Sequence, residues 1–313
     1  MTTNTEMPSK GDASVARPGL RDALFSFVNS VFPTERLSRS EPLAGLWRVL
    51  FYAIGPRHPF QFRTERYRVW ANPLHPRRGG DNTRALIRRG RWEGFATDIF
   101  EARLKSGDCV VDGGANFGHY AMTAARIVGP QGRVFAFEPE PAAYGLLVAN
   151  LALNGFDQVQ AERAGLSDTS GELELTVADD STGGHSFLAE ATLKQGRTVK
   201  TPVFALDDYM ARVAGDCRVD MIKIDVQGLE YLVMQGARRV LAEHKPCVLC
   251  EIWPVGMAMA GTSMEALMDM MEALGYSAEA VIEPTGLVPV SAKTFATLLG
   301  DGGYLDVLFT PKA

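Results

Sequence analysis

Four short apolar runs in this chain each end on an acid. They are Cys109-Val-Val-Asp112, Arg133-Val-Phe-Ala-Phe-Glu138, Met221-Ile-Lys-Ile-Asp225 and Cys247-Val-Leu-Cys-Glu251, four to six residues apiece. Runs that short and that continuously apolar read as strands covered on both faces. Helical patterns at 119–127, 142–153, 228–241 and 263–274 alternate with them, and a weaker strand is expected at 159–162. Alternating strands and helices predict an α/β fold, a Rossmann-like and mostly parallel sheet with helices on both faces. The segments 172–177 and 201–203 read as strands inserted after the third, and 277–282 with 304–309 as a closing antiparallel pair. In such sheets ligands bind beyond the carboxyl ends of the strands. Asp112, Glu138, Asp225 and Glu251 therefore line up along one functional edge.

The first acid opens Asp112-Gly-Gly-Ala-Asn-Phe-Gly118, a glycine-rich turn between strand and helix. Glycines at 113, 114 and 118 let the backbone approach a ligand closely, with Asn116 between them. The turn is neither the G-x-G-x-x-G dinucleotide fingerprint nor a P-loop. An acid ahead of the glycines repels a pyrophosphate and attracts an ammonium. Glu138 ends the next strand twenty residues beyond Gly118, a spacing at which an acid accepts from both ribose hydroxyls. Ribose and an ammonium without a phosphate describe S-adenosyl-L-methionine. The competing readings are another nucleotide on the same fold, with nicotinamide-dependent dehydrogenation as its form, and a catalytically silent cofactor-binding or assembly protein.

The rest of the chain sets context. Residues 1–18 are polar and read as a disordered tail. Residues 19–91 form a helical, arginine-rich extension. Leu20, Leu24, Phe27, Val28 and Val31 recur at helical spacing, and Leu43, Leu46, Trp47, Leu50 and Ile54 form a second stripe. Such helices suit packing on the core, pairing of two chains in a homodimer, or rest on a membrane surface. Between Arg57 and Arg91 stand ten arginines and two acids, Glu65 and Asp81. Guanidinium forks suit an anionic or lipid-linked acceptor, and equally a solvated face. A helix over 95–104 leads into a main domain at 92–313.

With 32 basic and 37 acidic residues the net charge is −5, which argues against a nucleic-acid coat. No apolar run reaches the roughly 18 to 20 residues that span a bilayer, and the N-terminus lacks the apolar stretch of a secretory signal. The expectation is a soluble, cytoplasmic protein without a transmembrane segment. Cys247 and Cys250 spell C-x-x-C within a strand, where residues three apart face opposite ways, so they are expected as packing thiols.

Over 92–309 the chain resembles the FkbM family of S-adenosylmethionine-dependent methyltransferases. The resemblance rests on Val110-Val-Asp-Gly-Gly-Ala-Asn-Phe-Gly-His-Tyr120, Ala136-Phe-Glu-Pro139, Asn150 with Asn154, Gly165-Leu-Ser-Asp168, Ala205-Leu-Asp-Asp208, Ile222-Lys-Ile-Asp-Val-Gln-Gly-Leu-Glu230 and Cys250-Glu-Ile252. It implies the seven-stranded class I methyltransferase sheet and methylation of a hydroxyl on a sugar, glycolipid or polyketide-type product. It adds Pro139, Ser167 and Asp168 to the cofactor residues Asp112, Gly113, Gly114, Asn116, Gly118, Glu138 and Asp225. Two positions depart from the family pattern. Gly113 stands where a branched aliphatic residue is common, and Gln227 where Glu is common, which removes a carboxylate beside Asp225.

A hydroxyl acceptor needs a base or an activating metal within about 2.6 to 3.2 Å, or through one water. The candidates are Asp225, Glu230, Glu251 and His185. Asp225 leads, with helix capping or a grip on the methionine ammonium as its other role. Glu230 either orients substrate or favours a helix N-terminus, Glu251 precedes a turn that suits the acceptor pocket, and His185 sits in a glycine-flanked loop. His119 is expected to pack at its helix start. Asp207 and Asp208 with Asp225 offer oxygen ligands for a divalent metal, but their place in a helix's first turn makes a metal the less favoured reading. Lys223 is either a partner of Glu230 or a phosphate contact.

Overall fold

The structure, a computed structural model, describes residues 60–64, 66–71, 86, 92–178, 196–215, 217–300 and 303–312. The tail, both amphipathic helices, most of the arginine block and His185 lie outside the described residues.

Strands β1 (Phe60–Arg63) and β2 (Arg68–Ala71) form an antiparallel hairpin ahead of helix α1 (Gly94–Glu101). The alternation then runs β3 (Cys109–Gly113), α2 (His119–Val128), β4 (Arg133–Phe137), α3 (Pro141–Asn154) and β5 (Val159–Glu162). A separate three-stranded sheet follows, made of β6 (Gly165–Leu166), β7 (Gly171–Ala178) and β8 (Gly196–Phe204) in the order β6-β8-β7. After α4 (Leu206–Tyr209) the main sheet resumes with β9 (Met221–Ile224), α5 (Glu230–Gln235), α6 (Arg238–Glu243) and β10 (Cys247–Ile252). It closes with α7 (Pro254–Met259), α8 (Met264–Ala273), β11 (Tyr276–Ile282), β12 (Gly286–Pro289), α9 (Ala292–Leu299) and β13 (Leu305–Pro311).

The main sheet has the order β12-β11-β13-β10-β9-β3-β4-β5. Its five strands from β10 to β5 are parallel, and β13 pairs antiparallel with both β10 and β11. This is the expected class I architecture of seven strands, with β12 added at one edge. Alternate residues of each parallel strand feed two cores. Val111, Phe135, Phe137, Ile222 and Ile224 pack with α4, α5 and α8, while Val110, Val134, Ala136, Met221 and Leu249 pack with α1 and α2.

Two expectations need correcting. The helix expected over 228–241 is two helices, because the loop at Ser167 crosses it closely: a Cβ on Gly236 would stand 2.1 Å from the Ser167 carbonyl oxygen. Asp207 restarts the helix by accepting from the backbone amides of Arg239 (2.8 Å) and Val240 (2.9 Å). It is thus a cap for α6. The last inserted strand is also longer than 201–203, since β8 pairs along all of β7.

The hairpin docks on α3 through two asparagines one turn apart. Asn150 Oδ1 accepts from Trp70 N–H at 2.7 Å, and Asn154 both accepts from Arg68 N–H (2.8 Å) and donates to its carbonyl (2.7 Å). Their side-chain amides serve β2 as a neighbouring strand would. Arg66 adds ion pairs with Asp98 and Glu101 at 2.8 and 2.6 Å. Two arginines of the basic block, Arg66 and Arg68, thus fasten the hairpin to the sheet domain, Arg68 through the Leu153 carbonyl at 2.6 Å.

Candidate functional site

Strand register explains why the acids converge. Asp112 lies opposite Ala136 on β4 and Lys223 on β9, and Lys223 lies opposite Leu249 on β10, which faces Leu308 on β13. Side chains repeat every second residue. The next row on that face therefore holds Glu138, Asp225 and Glu251, with Asp306 paired to Glu251. This row rims a cavity of about 350 Å³ whose wall includes Asp112, Gly114, Asn116, Glu138, Pro139, Asp225 and Glu251.

The glycine turn is tied down on both sides. The amides of Gly114 and Ala115 donate to the Phe137 carbonyl at 3.0 and 2.9 Å, and Asp225 N–H donates to the Gly113 carbonyl at 2.9 Å. Glu138 is fixed by Asn116 N–H on one oxygen (2.7 Å) and Glu140 N–H on the other (2.8 Å). Lone pairs remain for two further donors. Asp112 is 1% exposed, and its Oδ2 has no hydrogen-bond partner. Burial pushes Asp112 up to about 7 and Glu138 to about 8. A ligand bringing a cation to the first and hydroxyl donors to the second would offset that cost.

Asp225 and Glu251 stand either side of Gln227. The Gln227 amide donates to Asp225 Oδ1 at 2.8 Å and to Glu251 Oε1 at 3.4 Å, from a left-handed backbone with φ 53°. Burial, and then Asp225, push Glu251 up to about 10. Beneath them Lys223, 1% exposed, lies 3.7 Å from Asp306 and 5.1 Å from the Tyr120 ring centroid. Burial would lower Lys223, but Asp306, Asp225, Glu93 and Glu251 together outweigh it and hold the lysine charged. Glu93 closes the group from the start of α1, with φ 42° and its carboxylate accepting from Tyr120 Oη at 2.8 Å. Burial pushes it up to about 7.

His119 holds this wall to the hairpin, at the helix start where packing was expected. Its Nδ1 meets the Tyr67 hydroxyl, and its Nε2 lies 2.8 Å from Thr97 Oγ1. Burial keeps the ring neutral, pushing it down to about 3. Because Thr97 donates to the Trp92 carbonyl at 3.1 Å, it accepts from Nε2–H, and Nδ1 accepts from Tyr67. His119→Ala is expected to strand the buried Tyr67 hydroxyl and leave a cavity. The expected cost in urea denaturation is about 2 to 3 kcal/mol. A loss below about 1 kcal/mol would mean that another group takes up the hydroxyl.

Other expected site residues lie off the wall. Gly113 faces Ile224 and Leu166, and Gly118 faces Leu147. Ser167 bonds to Asp168 at 3.0 Å and Asp168 is exposed, while Gly165 and Leu166 line the cavity instead. Glu230 is buried and turned back onto Gly228 N–H at 2.8 Å, so it braces the turn after β9. Lys223 partners Asp306 rather than Glu230. Among the described residues no group of His, Cys, Asp and Glu could hold a metal, and Asp208 accepts from Ser170 at 2.8 Å. All four cysteines are free. The sequence reading missed Glu93, Tyr120, Asp306 and Tyr304. Two signals were present: Tyr120 stands at the end of the glycine-turn motif that carries the family resemblance, and Asp306 shares the parity of Leu308 on the last strand.

The family model "Methyltransferase FkbM domain" matches residues 112–278. Methyltransferase sdnD of Sordaria araneosa is 31% identical over 196 residues, 54% of this chain and 74% of that protein. Methyltransferase 1 of Beauveria bassiana is 29% identical over 143 residues, 41% of this chain and 57% of that protein. A crystal structure of methyltransferase FkbM from Methylobacillus flagellatus KT aligns over 66% of this chain and 44% of that chain, at 17% identity and a TM-score of 0.42.

Proposed function

Because the chain belongs to the FkbM methyltransferase family, we propose that it transfers a methyl group from S-adenosylmethionine to a hydroxyl of a saccharide, glycoconjugate or related natural product. The observation that carries this reading is the row of strand-end carboxylates on one cavity, with the unpartnered oxygen of Asp112 at one end and the Asp225–Gln227–Glu251 bridge at the other. Asp112 takes the methionine ammonium, and Glu138 takes the ribose hydroxyls. Gly114 keeps the wall open between them. When bound, S-adenosylmethionine supplies a sulfonium methyl carbon, onto which an oxygen lone pair closes as the carbon–sulfur pair returns to sulfur.

Asp225 accepts the acceptor's hydroxyl proton. Trp253 and Tyr304, both on the wall, suit the apolar face of a sugar ring. Lys223 is the one lysine or arginine on the described wall, against five acids, Glu93, Asp112, Glu138, Asp225 and Glu251. That balance favours an uncharged polyol over an anionic acceptor. Among the described residues no helix is long and apolar enough to cross a membrane.

The test is calorimetric titration with S-adenosylmethionine, S-adenosylhomocysteine and NAD, followed by a glycan panel with labelled methyl donor. Micromolar binding of the two adenosyl ligands alone, with label reaching a glycan, is the expected result. Binding without transfer to any acceptor would favour the silent scaffold, and preference for NAD would overturn the cofactor. Glu138→Ala is expected to weaken S-adenosylhomocysteine binding about 10- to 100-fold, the worth of hydrogen bonds to a charged group. Unchanged affinity would remove the ribose assignment.

A further inference from the structure

Three features fix the chemistry around position 227. Its backbone is left-handed, at φ 53°, a conformation that costs an L side chain energy. The following turn is locked, because a Cβ on Gly228 would stand 2.6 Å from the Gly256 carbonyl carbon. Held there, the Gln227 amide lies 2.8 Å from one carboxyl oxygen and 3.4 Å from another. An amide nitrogen can only donate. The shorter bond favours the charged form of its acceptor, and two carboxylates sharing a site do not both ionise readily.

We infer that Gln227 is the positioning residue that divides the protons in this site, donating to Asp225 so that Asp225 is the carboxylate and Glu251 the protonated partner. The inference rests on the reading of Asp225 as the group that faces the acceptor. A carboxylate at 227, the common choice in this family, would make three acids compete for protons. The glutamine makes the assignment unambiguous. The other charges facing Asp225 are Lys223 on its own strand, Glu93 from α1, Asp112 from β3, Asp306 from β13 and Glu230 from α5. Only Lys223 is a cation, and it is shared among the acids. Glu251 is also the more deeply buried of the two, and the donated bond from Gln227 adds to that difference on the side of Asp225.

The test needs no acceptor. Protein carrying carbon-13 at the Asp and Glu carboxyls is titrated by NMR from pH 5 to pH 9 with S-adenosylhomocysteine present. Asp225→Asn and Glu251→Gln assign the two signals. The expected result is a carboxylate at Asp225 and a protonated Glu251 at pH 7 in the parent. In Gln227→Met the division should be lost, with the retained proton shared between the Asp225 and Glu251 signals at pH 7. Gln227→Glu should add one retained proton near neutral pH. Melting curves check folding, and the partly exposed position suits either change. A proton still held at Glu251 alone in Gln227→Met, or a Glu251 already ionised at pH 7 in the parent, would overturn the inference. Failure of the methyl-transfer reading would show separately, in the calorimetry and the glycan panel, and would leave the titration result standing.

Discussion

Gly114→Ala is expected to abolish measurable S-adenosylhomocysteine binding and to lower the melting temperature by roughly 5 to 10 °C, the equivalent of about 3 kcal/mol. Two costs add at this position. The residue has φ 83°, which an L side chain adopts at about 1 to 2 kcal/mol. An added Cβ would also lie 1.8 Å from the Asp225 carbonyl oxygen and 2.9 Å from its carbonyl carbon. Those are backbone atoms, and Asp225 is pinned by its own amide to the Gly113 carbonyl at 2.9 Å. The clash can be relieved only by parting β3 from the end of β9, which moves Asp112 away from Asp225. Gly155→Ala is the control, since Gly155 has φ 67° with nothing within 4 Å of its Cβ position. It should show the strain alone and bind cofactor as the parent does. Equal effects in the two variants would mean that left-handed strain, rather than the close approach of strand and loop, holds the site together.

That contact shows which parts of the site a sequence can reveal. An apolar run closed by an acid is a local pattern, and parity along parallel strands carries it into space, so Asp112, Glu138, Asp225 and Glu251 were legible as one edge. The same parity puts Lys223 in register with Asp112, but its partner Asp306 comes from a strand more than eighty residues later. Glu93 was hidden for another reason. Its reach into the cavity depends on a left-handed backbone at the start of α1, which no short-range residue pattern announces.

Other candidate positions stand off the cavity wall. Ser167 and Asp168 stand in a motif that reads as a site, but the turn there supports α5 and α6 through the close contact at Gly236. The cavity is reached by Gly165 and Leu166, two residues earlier. Asp207 reads as an acid in its own helix's first turn, where it stands, and it also caps a helix 32 residues away. Glu230 likewise serves the turn that carries Gln227. For Ser167 and Asp207 the residue type was informative and the deciding neighbour was non-local, whereas Glu230 is held by Gly228, two residues away.

Asp225→Asn is expected to lower kcat by about 10²- to 10⁴-fold, the contribution of a positioned general base. The comparison that gives this number meaning is Glu251→Gln, made at the other end of the Gln227 bridge. The two side chains differ in charge state. Glu251, pushed up to about 10 by burial and by Asp225, is neutral at pH 7, so an amide of the same shape replaces it with little electrostatic change. Asp225 accepts the 2.8 Å bond from Gln227, and the substituting amide can still accept that bond but cannot take a proton from a hydroxyl. Both variants should therefore bind S-adenosylhomocysteine within about threefold of the parent, or under 1 kcal/mol, because Asp112, Glu138 and the glycine turn are untouched. Turnover, measured with the glycan that the panel identifies, should fall less than about tenfold in Glu251→Gln and far more in Asp225→Asn. The reverse order would make Glu251 the base and Asp225 its electrostatic partner. Near-parental turnover in both would place the proton acceptor outside this pair, with Glu93, half-buried on the same wall and bonded to Tyr120 at 2.8 Å, the next group to replace.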